Sequence, residues 1–128
     1  MRVYAMISLG GFAGAVLRFL LKGMDVFPWN TQIPGNTLMI NVLGSLLLGF
    51  IIAIAEEVLK LQEAERVGII SGFLGAFTTF STISKEISML LTQGYAYTAI
   101  LYIMLSVVLG LGAVWLGTVL GSRLKEAL

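Results

Sequence analysis

Long apolar stretches separated by short polar clusters dominate the sequence. A helix that spans a membrane needs about 20 consecutive, mainly apolar residues. Four stretches meet this requirement, at about residues 3–21, 36–55, 67–91 and 95–120. The pattern predicts an all-α integral membrane protein with four transmembrane helices in a single domain, residues 1–128.

Turn-forming and charged residues mark the joints between these predicted spans. A loop after the first span is indicated by Asp25, Pro28, Asn30, Pro34 and Gly35. The charge-rich segment 56–66 follows the second span and is predicted to be a short interfacial helix end. Gln93 and Gly94 turn the chain before the fourth span, and Gly121 is predicted to cap the end of that span.

The basic residues favour one orientation in the membrane only moderately. An even number of spans places both termini and the middle joint on one side. That side carries Arg2, Lys60, Arg66, Arg123 and Lys125. The other side carries Lys22, with Arg18 and Lys85 inside the spans. The positive-inside rule therefore favours cytoplasmic termini, but moving one or two charges would invert the bias. Insertion in both orientations stays open.

Composition narrows the classes of function. Hydrophobic residues make up 58% of the chain and charged residues 12%, about half the charged share of a soluble domain. A net charge of +1 argues against nucleic acid as a partner. The absence of Cys and His excludes disulfides and most transition-metal sites. We find no nucleophile–base pair, phosphate-binding loop or cofactor motif, so the chain is not predicted to be an enzyme.

Small residues inside the spans predict close contacts between helices. The chain has 15 glycines, and many recur at spacings of three to five residues within the spans. Glycine lets helix backbones approach each other closely in a bilayer. These clusters predict tight packing and an oligomer. The alternative is that glycine is simply frequent in transmembrane helices.

The third span contains the strongest polar signal, the segment GAFTTFSTISKE at residues 75–86. Its five hydroxyl residues are Thr78, Thr79, Ser81, Thr82 and Ser84. Hydroxyl side chains compete with the backbone for hydrogen bonds and weaken a helix. The run predicts a helix broken at mid-membrane, which is tolerated only where it is buried in protein or lines water. Such breaks expose carbonyl and N–H groups that bind ions. The alternative is a continuous helix with hydroxyls bonded to its own carbonyls.

Polar stripes also occur in the second and fourth spans. Thr37, Asn41 and Ser45 recur every four residues, so they share one helix face. An asparagine at mid-span is expected either to bond across a helix interface or to face a wet cavity. Tyr102 and Ser106 lie one turn apart in the fourth span, although a serine can also bond to its own helix.

Charged residues inside the spans allow two interpretations each. Arg18 is either a side chain that reaches the headgroups or a fixed positive charge at an anion vestibule, and the sequence leaves these open. Lys85 and Glu86 lie beyond the predicted break, where they face either the headgroups or a vestibule.

Three segments carry a recognisable pattern, GGFAGAVLRF at 10–19, GNTLMINVLGSLLLG at 35–49 and GFLGAFTTFSTISKE at 72–86. They resemble the signature sequences of the Fluc (CrcB) fluoride channels. The resemblance implies a fluoride-selective channel that exports cytoplasmic fluoride passively across the cell membrane. It also implies an antiparallel, dual-topology dimer of four-helix subunits with two pores at the interface. A structural Na⁺ on the dimer axis is implied as well.

The resemblance implies a role for individual residues. The residues expected to line the pore or contact fluoride are Thr37, Asn41, Thr79, Phe80, Ser81, Ile83, Tyr102 and Ser106. The carbonyl groups of Gly75 and Thr78 would hold the Na⁺, whereas Arg18 and Glu86 would belong to a vestibule and its polar network. The implied partners are fluoride, the lipid bilayer and a second subunit.

The chain departs from the family pattern at two positions. Ile83 stands where the family usually has a second phenylalanine, and Gly110 stands where many members have serine. These departures suggest reduced conduction or a subunit specialised for a heterodimer with a paralogue. An engineered substitution at position 83 is a further explanation.

Two other classes of function compete with the channel. A small multidrug-type exporter coupled to protons also has four short helices, but it needs a carboxylate inside the membrane. Glu86 is the sole candidate within a predicted span. The other class is a non-transporting subunit whose glycine faces only pack against partners.

Overall fold

The computed structural model describes residues 1–24 and 32–128. The predicted loop residues Asp25, Pro28 and Asn30 lie outside this described part. The helices are α1 (Arg2–Lys22), α2 (Gly35–Ile54), α3 (Glu63–Val67), a π-helix π1 (Gly68–Leu74), α4 (Gly75–Phe77), α5 (Phe80–Thr92) and α6 (Ala96–Ala127).

Within the described residues the architecture is entirely helical. Four helical units there are long and apolar enough to cross a membrane, namely α1, α2, the run Glu63–Thr92 and α6. Neither described range contains a β-strand. The prediction of an all-α protein with four transmembrane helices is therefore confirmed.

Glycines allow α1 to contact the third helical run at backbone distance. A Cβ on Gly14 would meet the carbonyl oxygen of Phe73, and a Cβ on Gly72 would lie 2.7 Å from the carbonyl oxygen of Ile7. Neither oxygen can move aside, because both belong to helical backbones. The contact between α2 and α6 is made in the same way at Gly49, Gly117 and Gly121. Within the chain, the prediction of tight packing at glycines is confirmed.

The predicted helix cap at Gly121 is wrong. Helix α6 continues through this position to Ala127. Gly121 is buried against α2, where an added Cβ would lie 2.7 Å from Cβ of Ala53 and 2.9 Å from the carbonyl oxygen of Phe50. The glycine is needed for close approach between two helices, and no turn is made there.

The third helical run departs from α-helical geometry at two places, π1 and residues 78–79. The segment π1 has the wider hydrogen-bond spacing of a π-helix, which the sequence pattern did not indicate. After α4, Thr78 (φ −77°, ψ 157°) and Thr79 (φ −150°, ψ 114°) have extended backbone. Thr79 then caps α5, since its Oγ1 accepts a 3.2 Å hydrogen bond from the N–H of Thr82.

Ion pairs connect both ends of the chain to the charge-rich segment 56–66, which includes most of α3. In the described residues these pairs are Arg2–Glu65, Arg66–Glu56 and Lys125–Glu57. The segment also begins α3 with a side-chain cap, because the N–H of Gln62 donates to Oε2 of Glu65 at 3.1 Å. Both termini and the middle joint therefore lie at one end of the molecule, which we call the loop end.

Candidate functional site

Asn41 on α2 holds the backbone of the third run where the run is extended. Its Nδ2 donates to the carbonyl oxygen of Thr79 at 3.1 Å, and the N–H of Thr79 donates to Oδ1 of Asn41 at 2.8 Å. In a continuous helix that N–H would bond to the carbonyl of Gly75. Asn41 thus takes the place of a helical partner. One N–H of its amide is still available to donate.

An open groove of about 410 Å³ lies beside this extended segment. Six residues predicted as site residues meet at its walls, namely Asn41, Gly75, Thr78, Thr79, Phe80 and Ile83. Ser45 lines it as well. No carboxylate is present among the groove-lining residues of the described ranges. Phe80 is 82% exposed, so the groove opens on the outer surface of the single chain.

A second polar cluster surrounds Glu86 on α5. Its Oε1 accepts hydrogen bonds from Oγ1 of Thr37 at 2.8 Å and from Nζ of Lys22 at 3.2 Å. Its Oε2 accepts one from the hydroxyl of Tyr102 at 2.8 Å. Thr37 and Tyr102 are completely buried. Because these donors come from α1, α2 and α6, a single carboxylate joins all four transmembrane helices. We call these four residues the Glu86 cluster.

The structure separates residues that were predicted to line one path. Thr37 and Tyr102 lie in the Glu86 cluster and do not line the groove. Ser106 is one turn further along α6, and its Oγ donates to the carbonyl oxygen of Tyr102 at 2.7 Å. Ser81 lies beside the interruption, with its Oγ 3.2 Å from Oγ1 of Thr79.

Arg18 lies at the other side of the interruption. Its Nη1 donates to the carbonyl oxygen of Thr78 at 3.3 Å. It lines a cavity of about 750 Å³, together with Lys22 and Thr82. The charge of Lys22 is paired with Glu86, whereas Arg18 makes no ion pair among the described residues, so Arg18 is the positive charge that would attract an anion to this cavity.

Two residues at these sites, Lys22 and Ser45, were not predicted as site residues. Lys22 reads as an ordinary basic residue at the end of a span, and its partner Glu86 lies 64 residues away. Ser45 did carry a signal, since it follows Asn41 by one helical turn on the same face. That spacing is compatible with helix packing too, so a role in the site was not evident.

Comparisons with known proteins identify the family. The family model described as "CrcB-like protein, Camphor Resistance (CrcB)" matches residues 5–118. Proteins named "Fluoride-specific ion channel FluC" are similar to the chain in several organisms. The relative from Acidobacterium capsulatum is 38% identical over 94% of this chain and 97% of its own length. The relative from Methanococcus maripaludis is 44% identical over 91% of this chain and 93% of its own.

The relative from Methylococcus capsulatus is longer. It is 44% identical over 92% of this chain, but the match spans only 52% of that relative. The chain belongs to the CrcB family. That family consists of ion channels and not of enzymes, and the family predicted from the three motifs is confirmed. The four apolar helices make the chain a multi-pass protein of the cell membrane.

Proposed function

We propose that the chain is a subunit of a fluoride-selective channel that exports cytoplasmic fluoride passively. The observation that carries this proposal is the groove beside Thr78 and Thr79. It offers hydrogen-bond donors and no carboxylate in the described residues, in a chain whose relatives are named fluoride-specific channels.

The chemistry of the groove suits fluoride. Fluoride is a small, strongly hydrated anion, so a selective path must replace its water with other donors. The remaining amide N–H of Asn41 and nearby hydroxyls supply such donors. The edge of an aromatic ring is positive, and Phe80 presents its ring at the groove. Arg18 would concentrate anions in the neighbouring cavity.

The functional form in this proposal is an antiparallel dimer with a pore along each side of its interface. An open groove in a bilayer would expose polar backbone to lipid, which is costly. The highly exposed Phe80 and the exposed Gly75 lie on this open side, where a second copy of the chain would cover them. The moderate charge bias permits insertion in both orientations.

Dual topology is testable because the chain contains no cysteine. Ser122 is exposed near the end of α6, so Ser122→Cys introduces one thiol without altering any charge. A membrane-impermeant maleimide applied to intact cells should label about half of the molecules, and detergent should expose the rest. Labelling of all or none in intact cells would contradict dual topology.

A structural Na⁺ is compatible with the residues at the interruption. Na⁺ prefers oxygen ligands, and the carbonyl of Gly75 is deprived of its helical partner because the N–H of Thr79 bonds to Asn41. Gly75 is exposed and an added Cβ would find no atom closer than 3.9 Å. The carbonyl of Thr78 accepts one bond from Arg18, which leaves its second lone pair. Carbonyls from two subunits would hold the ion, which would add fixed positive charge near the pores.

The structure argues against a proton-coupled exporter. Such an exporter must release and bind protons at a carboxylate that substrate can reach. Glu86 is engaged by three donors and is mostly buried. A heterodimer has a specific observation in its favour, because Ile83 lines the groove beside Phe80 without an aromatic edge. A paralogous subunit would then contribute the second ring.

The decisive experiment is fluoride efflux from liposomes that contain the purified protein, followed with a fluoride electrode. A passive channel should release fluoride quickly without a proton gradient and should exclude chloride. Efflux only with a proton gradient would indicate an exporter. No efflux alone but rapid efflux with a co-expressed paralogue would establish the heterodimer.

Ile83→Phe tests the ring-edge account within the same assay. An added ring would give the groove a second positive edge, so we expect faster fluoride efflux than from the unaltered chain. Ile83→Leu is the matched control, since it alters shape without adding a ring. Unchanged or slower efflux with Phe at this position would contradict the account.

A further inference from the structure

We propose that the hydroxyl of Ser45 on α2 donates a hydrogen bond directly to the conducted anion. This inference rests on the proposed fluoride channel and assigns it a binding residue outside the set predicted from the motifs. Three observations support it. They are the hydrogen-bond partners of the hydroxyl groups near the groove, the position of Ser45 in the groove wall and the open space between Ser45 and Gly110.

Most hydroxyl protons near the groove are already donated to protein atoms. The hydroxyls of Thr37 and Tyr102 donate to the carboxylate of Glu86. The hydroxyl of Ser106 donates to a backbone carbonyl, and so does that of Thr78, to Leu74 at 2.8 Å. Each of these groups must break a bond before it binds an anion. That exchange cancels much of the gain from binding.

Ser45 differs from these residues. Its side chain is half-buried and lines the groove one turn beyond Asn41. Within residues 1–24 and 32–128, its Oγ has no hydrogen-bond partner. A hydroxyl in this state donates to an anion without losing a protein contact. Together with the remaining N–H of Asn41, it forms a pair of donors on one face of α2.

Gly110 on α6 leaves room in front of this hydroxyl. A Cβ built on Gly110 would have Oγ of Ser45 as its nearest neighbour, at 3.8 Å, an ordinary van der Waals separation. The two positions therefore face each other across a gap that accepts a side chain. A serine at position 110 would place a hydroxyl beside the location of the Ser45 hydroxyl. This geometry provides a way to move the donor from one helix to the other.

The test compares fluoride efflux from liposomes that hold the unaltered channel, Ser45→Ala, Ser45→Ala/Gly110→Ser and Thr92→Ala. Removing a donor to a charged group should slow efflux by about tenfold and raise the half-saturating fluoride concentration. The double variant should recover at least half of the lost rate, since it restores a hydroxyl at the gap. Thr92→Ala should match the unaltered channel, because that hydroxyl bonds at 2.9 Å to the carbonyl of Met89 on its own helix.

Each outcome separates this inference from the proposed function. If the unaltered channel conducts and Ser45→Ala conducts equally, the role of Ser45 is overturned while the channel stands. The oligomeric state of each variant is checked by size-exclusion chromatography in detergent. If Ser45→Ala both slows efflux and no longer elutes as a single species, and Gly110→Ser restores neither property, the role of Ser45 is structural and the inference fails. If the unaltered chain conducts no fluoride under any condition, the proposed function fails as well.

Discussion

Two regions of this small membrane protein hold helices together by opposite means. Between α1 and π1, glycines bring two backbones into direct contact, and Gly14 faces the carbonyl oxygen of Phe73. In the Glu86 cluster, one carboxylate accepts bonds from Lys22, Thr37 and Tyr102. The first region needs the absence of side chains. The second depends on three particular side chains and their charge or hydroxyl groups.

The difference shows where polar groups are placed in a chain of this kind. In lipid, the hydrophobic effect does not drive helices together, because the lipid tails are as apolar as the side chains. The favourable free energy of helix association must therefore come from close van der Waals contact and from hydrogen bonds. The α1–π1 contact depends on close fit between two backbones, so it buries no polar side chain that would need a hydrogen-bond partner. The Glu86 cluster buries hydroxyls completely, so it is stable only with every partner present.

The largest effect is expected at the glycine contact. Gly14→Val would press a branched side chain against the backbone of Phe73, which cannot move without distorting π1. Overpacking of this kind should destabilise the protein by about 3 kcal/mol. Gly11→Val is the control, since a Cβ there would lie 4.0 Å from the nearest atom, the carbonyl oxygen of Gly72. Thermal unfolding in detergent measures both, and equal stabilities would contradict the account.

A smaller but clear loss is expected in the polar region. Glu86→Ala removes the acceptor of two buried hydroxyls, and unsatisfied donors of this kind should cost about 2 kcal/mol in total. Lys85→Ala removes a neighbouring exposed side chain and should change stability by less than about 0.5 kcal/mol. The same unfolding measurement applies. A loss of similar size in both variants would show that the end of α5 is sensitive to any truncation.

Tyr102→Phe sharpens the comparison by removing one donor while the ring stays in place. The stability should fall by about 1 kcal/mol, the usual net value of a hydrogen bond, or slightly more for a charged acceptor. The informative measurement is the double variant with Glu86→Ala. Because the hydroxyl has no acceptor there, replacing the tyrosine should cause no further loss. Additive losses would mean that the two residues act independently.

The smallest effect is expected at the loop end. Arg2 and Glu65 pair at 3.0 Å, but the Arg2 side chain is 62% exposed. An exposed pair contributes between about 0 and 1 kcal/mol and is screened by salt. Arg2→Gln should therefore leave thermal stability nearly unchanged, and any difference should vanish at high ionic strength. A large loss of thermal stability that persists at high ionic strength would show that this pair contributes as much as the contacts of the Glu86 cluster.

Much of the fold was predictable because its signals are local. Span length, the glycine clusters and the hydroxyl run at 78–84 each follow from residues that are neighbours in the chain. The resemblance to the Fluc (CrcB) motifs implies Gly75, Thr78 and Phe80 as site residues, and the structure brings them to one groove with Asn41. The π-helical geometry of π1 was not predictable, because no local propensity distinguishes it from an α-helix.

Other features depended on partners far apart in the chain. Gly121 had the sequence signature of a helix end, but its contact with α2 requires glycine inside a continuous helix. Lys22 became a partner of Glu86 only because α1 and α5 meet at one end of the molecule. Ser45 became notable only because its hydroxyl, unlike its neighbours, has no partner among the described residues.

Hydrophobic length and local hydrogen-bond competition thus established the class, the number of helices and the segment most unsuited to a regular helix. These effects act over one or two helical turns, so they can be predicted from residues that are neighbours in the sequence. Packing decided which donor meets which acceptor, as when Asn41 bonds to Thr79, 38 residues away. A hydrogen bond forms only within about 3 Å and near-linear geometry, and side chains on separate helices reach that geometry only once the helices are assembled.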